Sequence, residues 1–152
     1  MKTRKLLTFA LLCSLSFALA GPLRAAEKSE DTDSDDEAQI EKVTLARDNG
    51  EKFEPVKSFK PTDIFAVIVQ LTEVKTATKV KGVWTIVDAG GMKDKKLLEK
   101  EVTISPETNK KVEAKNRVDF SLTHDNPYPA GDYKMEVYLN DELAETVEFK
   151  IE

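Results

Sequence analysis

The sequence predicts an all-β domain, an antiparallel sandwich of about seven strands. Two observations carry this. Beyond Ala38 the apolar residues come in short runs separated by turn residues, and no helical period is sustained anywhere. No segment is suited to the crossover helix that parallel strands require, which leaves antiparallel pairing. The chain has 152 residues, and the part beyond a short leader is enough for one domain with a single core.

The order of the elements begins with that leader. Met1-Lys2-Thr3-Arg4-Lys5 is a basic start, Leu6 to Ala20 an apolar run, and Ala18-Leu19-Ala20 a small-residue cleavage site before Gly21-Pro22. Residues 1–20 therefore read as a signal peptide cleaved after Ala20, and about 15 apolar residues fall short of the ~20 that span a bilayer. Leu12 precedes Cys13 where lipidation needs a small residue. With Cys13 lost in the leader, the exported chain has no thiol for disulfides, thiolate chemistry or a cysteine metal site. A bacterial periplasm or cell surface is the expected compartment, with no membrane span after cleavage. Residues 21–38 come next as an acidic, disordered linker, because the stretch from Glu27 to Glu37 (EKSEDTDSDDE) holds no apolar residue to offset the cost of ordering. Asp31, Asp33 and Asp35 alternate as calcium ligands can. An EF-hand loop, however, needs Gly at its sixth position and Glu at its twelfth, where Asp36 and Lys42 stand.

The domain is expected over residues 39–152. Ile40–Ala46 is a first strand, closed by Asp48-Asn49-Gly50, and a loop containing Pro55 and Pro61 comes after it. Ile64–Leu71 (IFAVIVQL) is apolar on both faces, as in a covered central strand. Lys79–Val87 alternates, with Val80, Gly82, Trp84 and Ile86 on the core face. Asp88-Ala89-Gly90-Gly91 reads as a loop, Leu97–Ile104 as the next strand, and Ser105-Pro106 as its end. Val118, Phe120 and Leu122 alternate with polar residues in a half-buried strand. A final hairpin turns near Asn140-Asp141, with Tyr133, Met135, Val137 and Leu139 inward on its first strand and Leu143, Val147, Phe149 and Ile151 inward on its second.

Two details resemble an immunoglobulin-like core: Trp84 in the third strand, and Pro129-Ala130-Gly131-Asp132-Tyr133, similar to a tyrosine corner. The chain from Phe59-Lys60-Pro61-Thr62-Asp63 to Ile151 resembles bacterial secreted immunoglobulin-like or fibronectin-like β-sandwich modules of unknown function. That resemblance implies the fold and leaves the activity open. One departure is Asn140-Asp141, where such hairpins often carry Asn-Gly.

Charge and inventory exclude several classes. With 23 Lys and Arg interspersed among 28 Asp and Glu, and a net charge of −5, no basic face for nucleic acid is expected. No cofactor motif or nucleophile elbow occurs. His124 is the single histidine, and Asp125 beside it points away on an extended chain, so the pair cannot serve as base and orienter. A small hydrolase is the least favoured reading.

A non-enzymatic binding module is the expected function, its partner another envelope or extracellular protein. One candidate surface is an outer sheet face carrying Val83, Thr85 and Val87, joined by Phe65, Val67 and Val69 if the two strands are neighbours. Long Lys and Glu side chains or the N-terminal segment are its alternative covering. The other is a loop pair with Asp88, Asp94, His124, Asp125 and Tyr128, whose carboxylates, histidine and aromatic ring suit calcium or a carbohydrate.

Overall fold

The computed structural model describes residues 37–152; the predicted leader and the acidic segment as far as residue 36 lie outside the described residues. The elements are β1 (Ile40–Asp48), β2 (Phe53–Pro55), β3 (Ser58–Phe59), β4 (Ile64–Leu71), β5 (Thr78–Ala89), β6 (Met92–Ile104), α1 (Pro106–Lys110), β7 (Arg117–Leu122), β8 (Gly131–Leu139) and β9 (Glu142–Ile151). One sheet has the order β2-β1-β4-β7 and the other β3-β9-β8-β5-β6. All pairs are antiparallel except β3 with β9. The chain changes sheets between β4 and β5, between β6 and β7 and between β7 and β8, while β1 and β4 and the hairpins β5–β6 and β8–β9 each stay within one sheet, an immunoglobulin-like sandwich.

All seven expected strands are present, and the segment read as a proline-bearing loop adds two short ones. β2 and β3 are three and two residues long, too short to show a period. They form because the chain passes here from the edge of one sheet to the edge of the other: Ala46 pairs with Pro55, Val56 N–H donates to the Leu45 carbonyl at 3.0 Å, and Ser58 pairs with Lys150. The expected end of β6 at Ser105-Pro106 is also the start of α1. Ser105 caps its first turn by accepting from Thr108 N–H, and Thr108 Oγ1 accepts from Ser105 N–H.

Asp88-Ala89-Gly90-Gly91 is not a loop. Asp88 and Ala89 continue β5, and only Gly90 and Gly91, both at positive φ, make the turn before Met92. The same two-residue geometry closes the last hairpin, where Asn140 (φ 49°) and Asp141 (φ 72°) take the positive-φ places. Asn140 Oδ1 accepts from Lys79 N–H at 3.0 Å and Lys79 Nζ meets Asp141 at 2.9 Å, so β5 holds the turn that glycine would otherwise ease.

The core lies between the sheets. β4 and β7 contribute Phe65, Val67, Val69, Val118, Phe120 and Leu122; across from them stand Val80, Trp84, Ile86, Tyr133, Met135 and Val137. Phe149 is the aromatic hub, with ring centroids 5.2 Å from Phe59, 5.7 Å from Tyr133 and 5.8 Å from Trp84. Ala38, assigned from sequence to the linker, is buried against this cluster. Leu143, expected inside, is exposed. A bulge leaves Ala144 without a partner between the Val137–Glu145 and Tyr138–Leu143 pairs, which swings Leu143 to the outer face beside Tyr138.

The tyrosine corner is formed: Tyr133 Oη donates to the Pro129 carbonyl at 2.7 Å. Burial pushes the Tyr133 phenol up from its ordinary value, with the nearby Tyr128 phenol adding to it, and burial raises Tyr128 as well. A folded-state value above the unfolded one means that this contribution is complete below about pH 10 and is lost as the pH rises beyond it. Tyr133→Phe is expected to cost about 1 kcal/mol at neutral pH and to lessen the loss of stability under alkali, both read from urea unfolding midpoints against pH.

Candidate functional site

The two halves of the proposed apolar stripe lie in different sheets. β4 neighbours β1 and β7, whereas β5 neighbours β6 and β8. Phe65, Val67 and Val69 have no exposure and face the core, so they contribute nothing to an outer surface. The residues between them, Ile64, Ala66 and Ile68, are the ones that point outward. With both faces of the strand apolar, periodicity alone could not choose between the two sets.

Val83, Thr85 and Val87 do point away from the core, as alternation with Trp84 and Ile86 requires, but they make no open apolar stripe. Val83 lies between Glu99 and Glu136, and Thr85 between Lys96 and Lys134. These neighbours pair along their own strands, Lys96 with Glu99 at 2.8 Å and Lys134 with Glu136 at 3.0 Å. Val83 is left 9% exposed and Thr85 8%. Cross-strand Lys and Glu side chains thus cover the face with their stems. Val87 is the residue skipped between the Ile86–Tyr133 and Asp88–Asp132 pairs, and this bulge returns Ala89 rather than Asp88 to the core.

The other sheet carries an apolar outer face of its own. Its rows run Pro55-Ala46-Ala66-Ser121, Phe53-Asp48-Ile64 and Thr44-Ile68-Asp119. Ile64, Ile68 and Phe53 are half-buried. Ala46 and Ala66 are wholly buried although they point out from the core. The Arg117 guanidinium carbon lies 5.3 Å from the centroid of the Phe53 ring, a cation–π contact that joins the two edge strands of this sheet across the face they flank. Arg117 Nε is held in turn by Asp119 at 2.6 Å. The result is a floor of small side chains with apolar groups on it and a charged rim. Phe53 and Arg117 were not singled out in the sequence, because β2 was read as loop and pairing across four strands has no local signal.

The loop residues do share one end of the sandwich, since Asp88 pairs with Asp132 and the Gly90 turn lies against Pro129. They do not form a metal site: among the described residues no three His, Cys, Asp or Glu side chains come together to hold an ion. Asp88 is paired with Lys93 at 3.3 Å, Asp94 lies in the field of Lys134, and Asp125 is exposed. His124 Nε2 is 3.2 Å from the Asp63 carbonyl, which can only accept, so Nε2 carries the hydrogen and Nδ1 is left buried without a partner among the described residues. Tyr128 is half-buried rather than free in a loop to meet a ligand, its ring 4.7 Å from His124 and 5.2 Å from Phe65. The pair is a cap on the core. Asp125 takes no part in it, and no base–orienter couple exists here. Calcium at millimolar concentration is expected to leave the melting temperature unchanged within about 1 °C, measured by scanning calorimetry with magnesium as the control.

No family model matches this chain, and no curated protein sequence does. Similar solved structures include an immunoglobulin-like protein of Pseudomonas aeruginosa, 13% identical with a TM-score of 0.47, covering 76% of this chain and 97% of its own. An alkylpurine DNA glycosylase of Pseudomonas fluorescens, bound to DNA containing an abasic-site analogue, is 12% identical with a TM-score of 0.46; the match covers 75% of this chain and 30% of the glycosylase. A β-glucosidase of Kluyveromyces marxianus is 17% identical with a TM-score of 0.36, over 73% of this chain and 14% of the glucosidase.

Proposed function

We propose that this chain is an exported, non-enzymatic interaction module of the bacterial cell envelope that binds another envelope or extracellular protein through the outer face of its four-stranded sheet. The observation that carries this reading is the row Ile64, Ala66 and Ile68, outward-facing on a central strand and joined by Ala46 and Phe53. Soluble domains keep such faces polar unless something covers them. An apolar centre with an aromatic ring, an arginine and a charged rim has the composition of a protein contact surface. The basic leader and its Ala18-Leu19-Ala20 site support export, and N-terminal sequencing of the protein from an envelope fraction should begin at Gly21.

The test is co-purification after crosslinking in the native host, comparing wild type with Ile64→Glu/Ile68→Glu. A discrete partner lost in the double variant, with the melting temperature retained, is the expected result. A partner retained by the double variant would return this face to a purely structural role. Val83→Glu is not a suitable probe of binding, because it sets a third carboxylate between Glu99 and Glu136 in a nearly closed position and acts on stability first.

A further inference from the structure

Asn49-Gly50 is the single Asn-Gly step in the chain, and it stands exposed in the turn between β1 and β2. Asn49 N–H donates to the Lys52 carbonyl at 3.3 Å, so Gly50 and Glu51 are the two residues of the turn. Gly50 takes φ 85°, and nothing lies within 4 Å of the place where a Cβ would stand. The polar groups of the turn gather about the Asn49 amide. Its Oδ1 accepts from the N–H groups of Glu51 and Lys52 at 3.1 and 2.9 Å, and Gly50 N–H donates to Asp48 Oδ1 at 2.8 Å. Asn49 Nδ2 lies 3.4 Å from Glu54 Oε1.

We propose that Asn49 is a site of spontaneous covalent modification, where this turn promotes loss of the side-chain amide through a succinimide. The Gly50 nitrogen attacks Asn49 Cγ and gives its proton to Asp48, closing a five-membered ring. Negative charge then develops on Oδ1, where two backbone donors are already in place. The bond from Cγ to Nδ2 breaks, Nδ2 takes the proton back from Asp48, and ammonia leaves. Water opens the ring at either carbonyl, giving aspartate or, with the main chain rerouted through the side chain, isoaspartate. A water is consumed, an ammonia is released, and nothing is oxidised or reduced. The other asparagines are worse placed. Asn126 precedes Pro127, whose nitrogen has no proton to lose. Asn109, Asn116 and Asn140 precede Lys110, Arg117 and Asp141, whose side chains crowd the attacking nitrogen.

β2 is three residues long and joined to β1 through this turn. Isoaspartate adds a carbon to the main chain and a carboxylate beside Asp48, Glu51 and Glu54, which loosens the Asp48–Phe53 pair and with it the stacking of Phe53 on Arg117. The contact face thereby loses its aromatic end. That consequence rests on the sheet-face reading, whereas the reaction at Asn49 stands without it.

The experiment holds the purified full chain at 37 °C in mildly alkaline buffer and follows each asparagine by peptide mass mapping, with a synthetic peptide of residues 47–54 as reference. Asn49 is expected to convert before the other asparagines and no more slowly than in the peptide. Gly50→Ala is expected to slow the conversion about tenfold. Hydrogen exchange of the converted protein is expected to rise in β2 and to stay unchanged in β8. Another asparagine converting first, or Asn49 converting about tenfold more slowly than in the peptide, would overturn the proposal. Unaltered exchange in β2 after conversion would overturn the effect on the hairpin. The wild-type map decides the site even if Gly50→Ala disturbs the turn, and no partner is needed for any of these readings.

Discussion

Trp84→Ala is expected to cost about 3–5 kcal/mol, a large part of the roughly 5–15 kcal/mol by which such domains are stable. The indole is 2% exposed and packs edge-on against Phe149, which also contacts Phe59 and Tyr133. Truncation removes the transfer energy of the ring and leaves a cavity that these rigid neighbours cannot fill by changing rotamer. Chemical denaturation at neutral pH measures it. A cost below about 1 kcal/mol would mean that Trp84 is not at the centre of the core and that the facing of β5 is inverted.

Gly131→Ala is expected to be at least as severe, roughly 4 kcal/mol or more. Gly131 opens β8 at φ 152°, and a Cβ there would fall into the Asp88 carbonyl oxygen and within 2.8 Å of the Ala89 Cα. Both obstacles are backbone, at the end of the central β5–β8 pair of the five-stranded sheet, so relief requires β5 and β8 to separate. The shift would also displace Pro129, two residues upstream, whose carbonyl holds the Tyr133 hydroxyl. Loss of cooperative unfolding, or no soluble protein at 37 °C, is the expected outcome. A variant that unfolds with wild-type midpoint and slope would show that β5 and β8 approach each other less closely than this contact requires.

Much of the fold was legible because alternation survives in most strands. Val118, Phe120 and Leu122, and Tyr133, Met135 and Val137, could be assigned to the core from period alone, and the sites of the long turns were marked by Gly, Pro, Asn and Asp. Alternation was misleading where bulges interrupt it. The extra residue at Ala144 turned Leu143 outward, and the one at Val87 kept Ala89 inside. In β4 both faces are apolar, so the pattern held no information about which set pointed in. The assumption that strands adjacent in sequence are adjacent in a sheet then placed Phe65, Val67 and Val69 on a surface with Val83. In a sandwich the chain crosses between sheets at that point, and the expected outer apolar stripe belongs one residue along, at Ile64, Ala66 and Ile68. The covering of Val83 and Thr85 by Lys96, Glu99, Lys134 and Glu136 depends on register between three strands, which no single segment encodes.

The most direct test of the interaction surface is a photoreactive side chain placed at position 68, and separately at position 85, in the protein expressed in its own host. Position 68 lies on the apolar outer face and position 85 on the charge-covered one. A discrete adduct from position 68 and none from position 85 is the result predicted. Adducts from position 85 alone, or from neither, would contradict the assignment of the four-stranded sheet as the contact face.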